Sequence, residues 1–259
     1  MNHISRTSMG ILNDKAALVT GAGQGVGQGI AYALAAEGAR VAVVGRTRDK
    51  LLATCDEIRR RGGIAEPFVC DVMDAGQIVR CVADVVARFG GVQILVNNAQ
   101  VVPLGRLLDV TDDAFVAGLE SGPLATLRMM RACHPHLKGD GVIVNFASSA
   151  AVRWDASGYG AYAATKEAIR ALTRAAACEW GVDGIRVNAV APHALSPGLK
   201  GWVDANPQEA AAFFRTIPLG RVGDCEQDIG RAIVFLASRD AAYLTGATLP
   251  LDGGQAYWG

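Results

Sequence analysis

The chain has 259 residues, of which 51% are hydrophobic and 19% charged, a balance that suits a well-buried core and argues against disorder. Lysine plus arginine and aspartate plus glutamate number 25 each, so no net field favours nucleic acid or an anionic membrane as partner. No apolar run approaches the roughly 18–20 residues of a membrane span, and the opening MNHISRTSMGILNDK lacks the apolar centre of a signal peptide.

Residues 1–13 read as a flexible arm ahead of one domain over 14–259, on a cytoplasmic protein. The first predicted strand, AALVT (16–20), runs into Thr20-Gly21-Ala22-Gly23-Gln24-Gly25-Val26-Gly27 and then a helix near 26–37. Glycines let a backbone turn tightly and approach a pyrophosphate, whose charge the helix N-terminus stabilises. Gly21, Gln24, Gly25, Val26 and Gly27 are therefore candidate cofactor contacts. The spacing G-x-x-x-G-x-G differs from the G-x-G-x-x-G fingerprint, so it is the position at the first strand–helix junction that points to phosphate.

The second strand, VAVVG (41–45), ends in Gly45-Arg46-Thr47-Arg48, with no carboxylate until Asp49. A NAD site would carry an acid there for the ribose 2′-hydroxyl. The planar fork of Arg46 suits a 2′-phosphate instead, which predicts NADP(H) in preference to NAD(H). Further strands follow at 64–70, 92–97, 141–146, 185–190 and 248–252, most of them apolar throughout. Helices are predicted near 48–61, 75–89, 112–137, 159–180 and 227–237. Such alternation means an α/β, doubly wound sheet of Rossmann type covered by helices on both faces. The least patterned segment, 194–216, reads as a loop beyond a strand's C-terminal end, a candidate substrate lid.

On the helix 159–180, Tyr162 and Lys166 stand four residues apart and share a face, with Tyr159 a rival phenol. The six cysteines are scattered without a C-x-x-C pair, and the four histidines have no companions at metal-ligand spacing. Structural thiols and no metal site are expected.

T-G-x-x-x-G-x-G at 20–27, Asp71-Val72, Asn97-Asn98-Ala99, Ser148, Tyr162-x-x-x-Lys166, IRVNAVAP (185–192) and the tail over 217–254 together resemble the short-chain dehydrogenase/reductase family. The likeness spans about residues 14–254 in the right order, and the tail is most similar to oxoacyl-thioester reductases and sugar or alcohol dehydrogenases. The resemblance implies a three-layer fold with a seven-stranded parallel sheet. It also implies a nicotinamide cofactor exchanging hydride with a ketone or secondary alcohol, and a homotetramer joined through the helices near 112–137 and 159–180 and the final strand. By position, Asp71 and Val72 would contact the adenine, Asn98 would support the central strand and cofactor, and Pro192 and Leu195 would border the nicotinamide. Tyr162 would be the acid/base, because Tyr159 has alanine four residues on. Lys166 would bond the nicotinamide ribose and lower the phenol's pKa. Ser148 would hold the substrate oxygen, with Ser149 as its rival.

The chain departs from the family pattern at Gln100, His193, Pro197 and Gly122. Gln100 replaces a glycine, and Gly122 falls where many relatives carry an asparagine thought to hold a water that links the lysine to solvent. Gly122-Pro123 is expected to break the helical ladder, so that freed carbonyls or Ser121 could hold that water. Gln100, Trp154, Tyr159, His193 and Trp202, with Phe213 and Phe214, are candidate substrate contacts. The departures also admit a second reading: an NADP-binding protein of this type with weakened or lost catalysis, serving in sensing or assembly.

Overall fold

Alternate side chains of a strand point to opposite faces, so a strand packed on both sides is apolar throughout. β1 (Ala16–Thr20) shows this directly: Ala17 and Val19 enter one core, Ala16 and Leu18 the other. β2 (Arg40–Gly45), β3 (Ile64–Val69), β4 (Ile94–Asn97), β5 (Gly141–Phe146), β6 (Ile185–Pro192) and β7 (Thr248–Leu251) complete one sheet in the computed structural model, which describes residues 10–153 and 156–258. The order is β3-β2-β1-β4-β5-β6-β7, with every neighbouring pair parallel, so the expected seven-stranded Rossmann-type sheet is present.

On one face Ile30 and Leu34 of α1 (Gly25–Ala36) and Leu51 and Ile58 of α2 (Arg48–Arg60) meet the strands. The other face is covered by Ile78 and Val82 of α3 (Ala75–Phe89). α3 starts where Asp74 accepts a hydrogen bond from the Gln77 amide and stops at Gly90, whose φ of 79° ends the helix in the left-handed region.

The predicted helix 112–137 is three pieces. α4 (Asp112–Leu119) and α5 (Ala125–Leu137) flank a π-helical segment over Glu120–Leu124 that contains Pro123. The ladder is therefore widened rather than broken, with the Ala125 amide donating to the Glu120 carbonyl. α6 (Gly160–Trp180) follows β5 and packs against both the π-segment and β6.

Two expectations are corrected. Leu12 is fully buried in the core, and its amide bonds the Glu37 carbonyl at 2.9 Å, so the domain includes residues 10–13 of the supposed arm. The segment 194–216 is no plain loop. It forms α7 (Pro197–Ala205) and α8 (Pro207–Phe214), each opening on a proline whose missing N–H costs nothing in a first turn. Ser196 caps α7 by accepting from the Leu199 amide. α9 (Arg231–Ala237), after a second π-segment at Cys225–Gly230, returns the chain toward β7.

Candidate active site

The strand order reverses between β1 and β4, and there a cleft of about 530 Å³ opens at the strands' C-terminal ends. Gly21, Gln24, Gly25 and Val26 line it, and Gly21 and Gly25 have φ of 67° and 59°, values that other residues rarely adopt. Gly27 lies behind the turn, where a Cβ would stand 2.4 Å from the Gly21 carbonyl oxygen, so its role is close packing. Asn98 ties β4 to β1: its side chain donates to the Thr20 carbonyl at 2.9 Å, and its own amide donates to the Thr20 hydroxyl at 3.0 Å. Asp71 and Val72 line the far wall. Arg46 is exposed on the rim. The second cation there is Lys50, not Arg48, and its ammonium bonds Gln24 Oε1 at 2.5 Å. Lys50, on the first turn of α2, was not among the residues singled out from the sequence.

Tyr162 and Lys166 sit on the first turns of α6, with the Lys166 Nζ 5.3 Å from the centre of the Tyr162 ring. Lys166 is buried and donates to the Phe146 carbonyl at the end of β5 at 2.6 Å. Burial pushes its ammonium down to about 7. Burial likewise pushes the Tyr162 phenol up to about 12. A hydrogen bond from Ser148 acts against that rise, and Tyr159 adds to it. The lowering expected from Lys166 is not among the effects that act on the phenol: the one that lowers it comes from Ser148. Of the two serines, Ser148 reaches Tyr162, while Ser149 bonds the buried carboxylate of Asp252 at 2.7 Å. Asp252 also accepts from the Gly254 and Ala256 amides and so folds the C-terminal segment against the end of β5.

Below the site the buried amide of Asn145 accepts from Asn97 at 2.9 Å and donates to the Thr173 hydroxyl at 3.0 Å. This pins α6 to the two central strands. A polar residue within the apolar run GVIVNF was its only trace in the sequence.

The substrate candidates divide into groups. Tyr159 stacks edge-on against Tyr162, centroids 6.0 Å apart. His193, just past Pro192 at the end of β6, stacks on Phe213 of α8 at 5.3 Å, and Trp202 of α7 meets the same ring at 6.0 Å. His193 Nδ1 is buried without a partner among the described residues; burial lowers its pKa, with Asp252 opposing and Arg153 assisting. Leu195 lines a second, shallower depression with Pro197, Lys200 and Cys225 rather than the main cleft. Gln100 lines the main cleft and donates to the Thr165 hydroxyl at 2.7 Å. Trp154 lies outside the described residues.

Among the described residues no cluster of three or more histidine, cysteine or acidic side chains is arranged to hold a metal, and no helix is long and apolar enough to cross a membrane.

A family model described as enoyl-(acyl carrier protein) reductase matches residues 21–256. The chain is 42% identical over 256 residues to a 12alpha-hydroxysteroid dehydrogenase of Clostridium sp., covering 95% of this chain and 98% of that protein. It is 37% identical to an L-xylulose reductase of Homo sapiens, covering 93% and 95% of the two chains. A solved short chain dehydrogenase from Burkholderia cenocepacia J2315 in complex with NADP superposes with a TM-score of 0.87 at 32% identity, over 94% of this chain and 98% of that one.

Proposed function

The chain belongs to the short-chain dehydrogenase/reductase family of alcohol- and carbonyl-active oxidoreductases, and on that premise we propose an NADP(H)-dependent enzyme with Tyr162 as its acid/base. The observation that carries this reading is the convergence of Tyr162, Ser148 and Lys166 where β5 ends and α6 begins.

A dinucleotide fits the residues present. α1 starts at Gly25 with no side-chain cap, so its first-turn amides are open to a pyrophosphate, and the glycine turn admits the close approach. Arg46 and Lys50 on the rim would hold a 2′-phosphate, and Asp71 and Val72 would flank the adenine. When bound, the nicotinamide supplies or takes up the hydride. The chain's own part is to move a proton. Tyr162, held protonated by its burial, donates to the substrate oxygen as negative charge grows there in carbonyl reduction, and accepts that proton back in alcohol oxidation. Ser148 donates a hydrogen bond to the same oxygen. Lys166, with its pKa near neutrality, is suited to replenish the phenol's proton.

For the substrate we infer a ketone or secondary alcohol on a bulky ring. The aromatic group of His193, Phe213 and Trp202 supports this, as does the likeness to a hydroxysteroid dehydrogenase. α7 and α8 would serve as the lid. Exposed Leu107 and Leu108 ahead of α4 and Val116 on it support the homotetramer, and six free cysteines fit a reducing cytoplasm.

Following NADPH absorbance against a panel of cyclic ketones tests the reading. Wild type should turn over at least one, and Tyr162→Phe should abolish turnover while still binding NADPH. Undiminished activity of the variant would sink the mechanism. The rival reading, a cofactor-binding protein with lost catalysis, draws on Gly122 and predicts NADPH binding without turnover of any panel member.

A further inference from the structure

Two departures from the family pattern meet in space. A Cβ built on Gly122 would stand 2.7 Å from Gln100 Nε2, 2.9 Å from its Cδ and 3.3 Å from its Oε1. The whole carboxamide of Gln100 thus occupies the room that a side chain at 122 would need. The π-segment carries Gly122, the loop after β4 carries Gln100, and both face α6. Gln100 Nε2 donates to Thr165 Oγ1, which in turn donates to the Tyr162 carbonyl at 2.7 Å. Thr165 is fully buried and immediately precedes Lys166. The other end of the amide, Oε1, is buried with no hydrogen-bond partner among the described residues. A buried amide oxygen left unpaired is costly, which marks it as an acceptor awaiting a donor. Ser121 cannot take that part: its hydroxyl already donates to the Ala117 carbonyl at 2.7 Å and accepts from the Val101 amide at 3.0 Å.

We infer that Gln100 is a positioning residue for the reaction, supplying from the β4 loop the carboxamide that Gly122 lacks. Nε2 holds the turn of α6 that carries Tyr162 and Lys166, and Oε1 accepts from a water through which Lys166 exchanges protons with solvent. This rests on the acid/base reading of Tyr162 and Lys166 above. Glycine at 122 and glutamine at 100 are then one exchange rather than two losses, since a Cβ at 122 would displace the Gln100 carboxamide from its bond to Thr165.

The test is a cycle of Q100G, G122N and Q100G/G122N, with Q100M as a variant that keeps the volume and removes the amide. In the ligand-free protein G122N alone should lower Tm by several degrees through overlap with Gln100, and adding Q100G should recover most of that loss. With NADPH and a ketone, Q100M should fold as wild type yet lose about tenfold in kcat, with little change in KM for NADPH and an altered pH profile of kcat. Q100G/G122N should return to within about threefold of wild-type kcat. Wild-type kcat and pH profile in Q100M would overturn the inference, as would additive Tm changes across the cycle. Failure of the wild-type chain to turn over any ketone would overturn the acid/base reading itself, while the Tm cycle would still decide whether residues 100 and 122 compete for one place.

Discussion

The Lys166 ammonium donates to the backbone carbonyl of Phe146 at 2.6 Å, and that single bond fastens the first turns of α6 to the end of β5. It leaves a cation inside the fold, only 3% exposed, with its pKa pushed down to about 7 by burial.

Because the folded pKa lies below the lysine's usual 10.5, the unfolded chain binds more protons than the folded one between pH 7 and 10.5. The buried group therefore opposes folding fully below pH 7, and its cost fades as pH rises through that window. Denaturant unfolding of ligand-free wild type and Lys166→Met should diverge accordingly. Between pH 6.5 and 9.5 wild type should gain on the order of 3 kcal/mol relative to the variant. Parallel stability curves would show that Lys166 is not desolvated as the structure has it.

Ser148 and Ser149 are neighbours with opposite partners, Tyr162 and Asp252. Ser148→Ala should lower kcat by about two orders of magnitude, the scale of losing one donor to a developing oxyanion, with little change in Tm. Ser149→Ala leaves a buried carboxylate short of a partner and should lower stability by about 1–3 kcal/mol while sparing kcat. The opposite pattern in steady-state kinetics and thermal unfolding would exchange the two roles.

How far these assignments were legible varies for physical reasons. Strands such as GVIVNF announce themselves because both faces are covered, and the glycine turn and Tyr162-x-x-x-Lys166 are local spacings that a chain records directly. The helices at Pro197 and Pro207 were missed because their apolar faces are short, although serine–proline and asparagine–proline pairs mark both starts. Leu12 looked like part of an arm because one buried side chain makes no periodic pattern. The meeting of Gln100 with Gly122, 22 residues apart, follows from a tertiary approach that no local spacing encodes. Asp252 and Asn145 likewise acquire meaning only from partners far along the chain.

Arg46 and Lys50 are the two cations on the cleft rim beyond β2. Removing each should cost about one charge-assisted hydrogen bond to a 2′-phosphate, roughly tenfold in affinity. Arg46→Ala/Lys50→Ala should raise KM for NADPH about a hundredfold and leave KM for NADH within a few-fold. Equal effects on both cofactors would mean that the pair does not read the 2′ position.

His193, Phe213 and Trp202 form a stack joining the end of β6 to α7 and α8, and either of two roles accounts for it. As plain packing, truncating the central ring would loosen both helices and lower Tm, and cofactor and substrate constants would rise together because α7 also borders the cleft through Pro197. As a wall for a ring-bearing ketone, the loss would fall on the substrate alone. Phe213 is the discriminating residue, since it touches both His193 and Trp202. We expect Phe213→Ala to raise KM for a bulky cyclic ketone about tenfold, to leave a small acyclic ketone within about twofold, and to spare KM for NADPH, the pattern of lost apolar contact with the substrate. A uniform rise across both ketones and NADPH would assign the stack to packing and remove these aromatics from the substrate site.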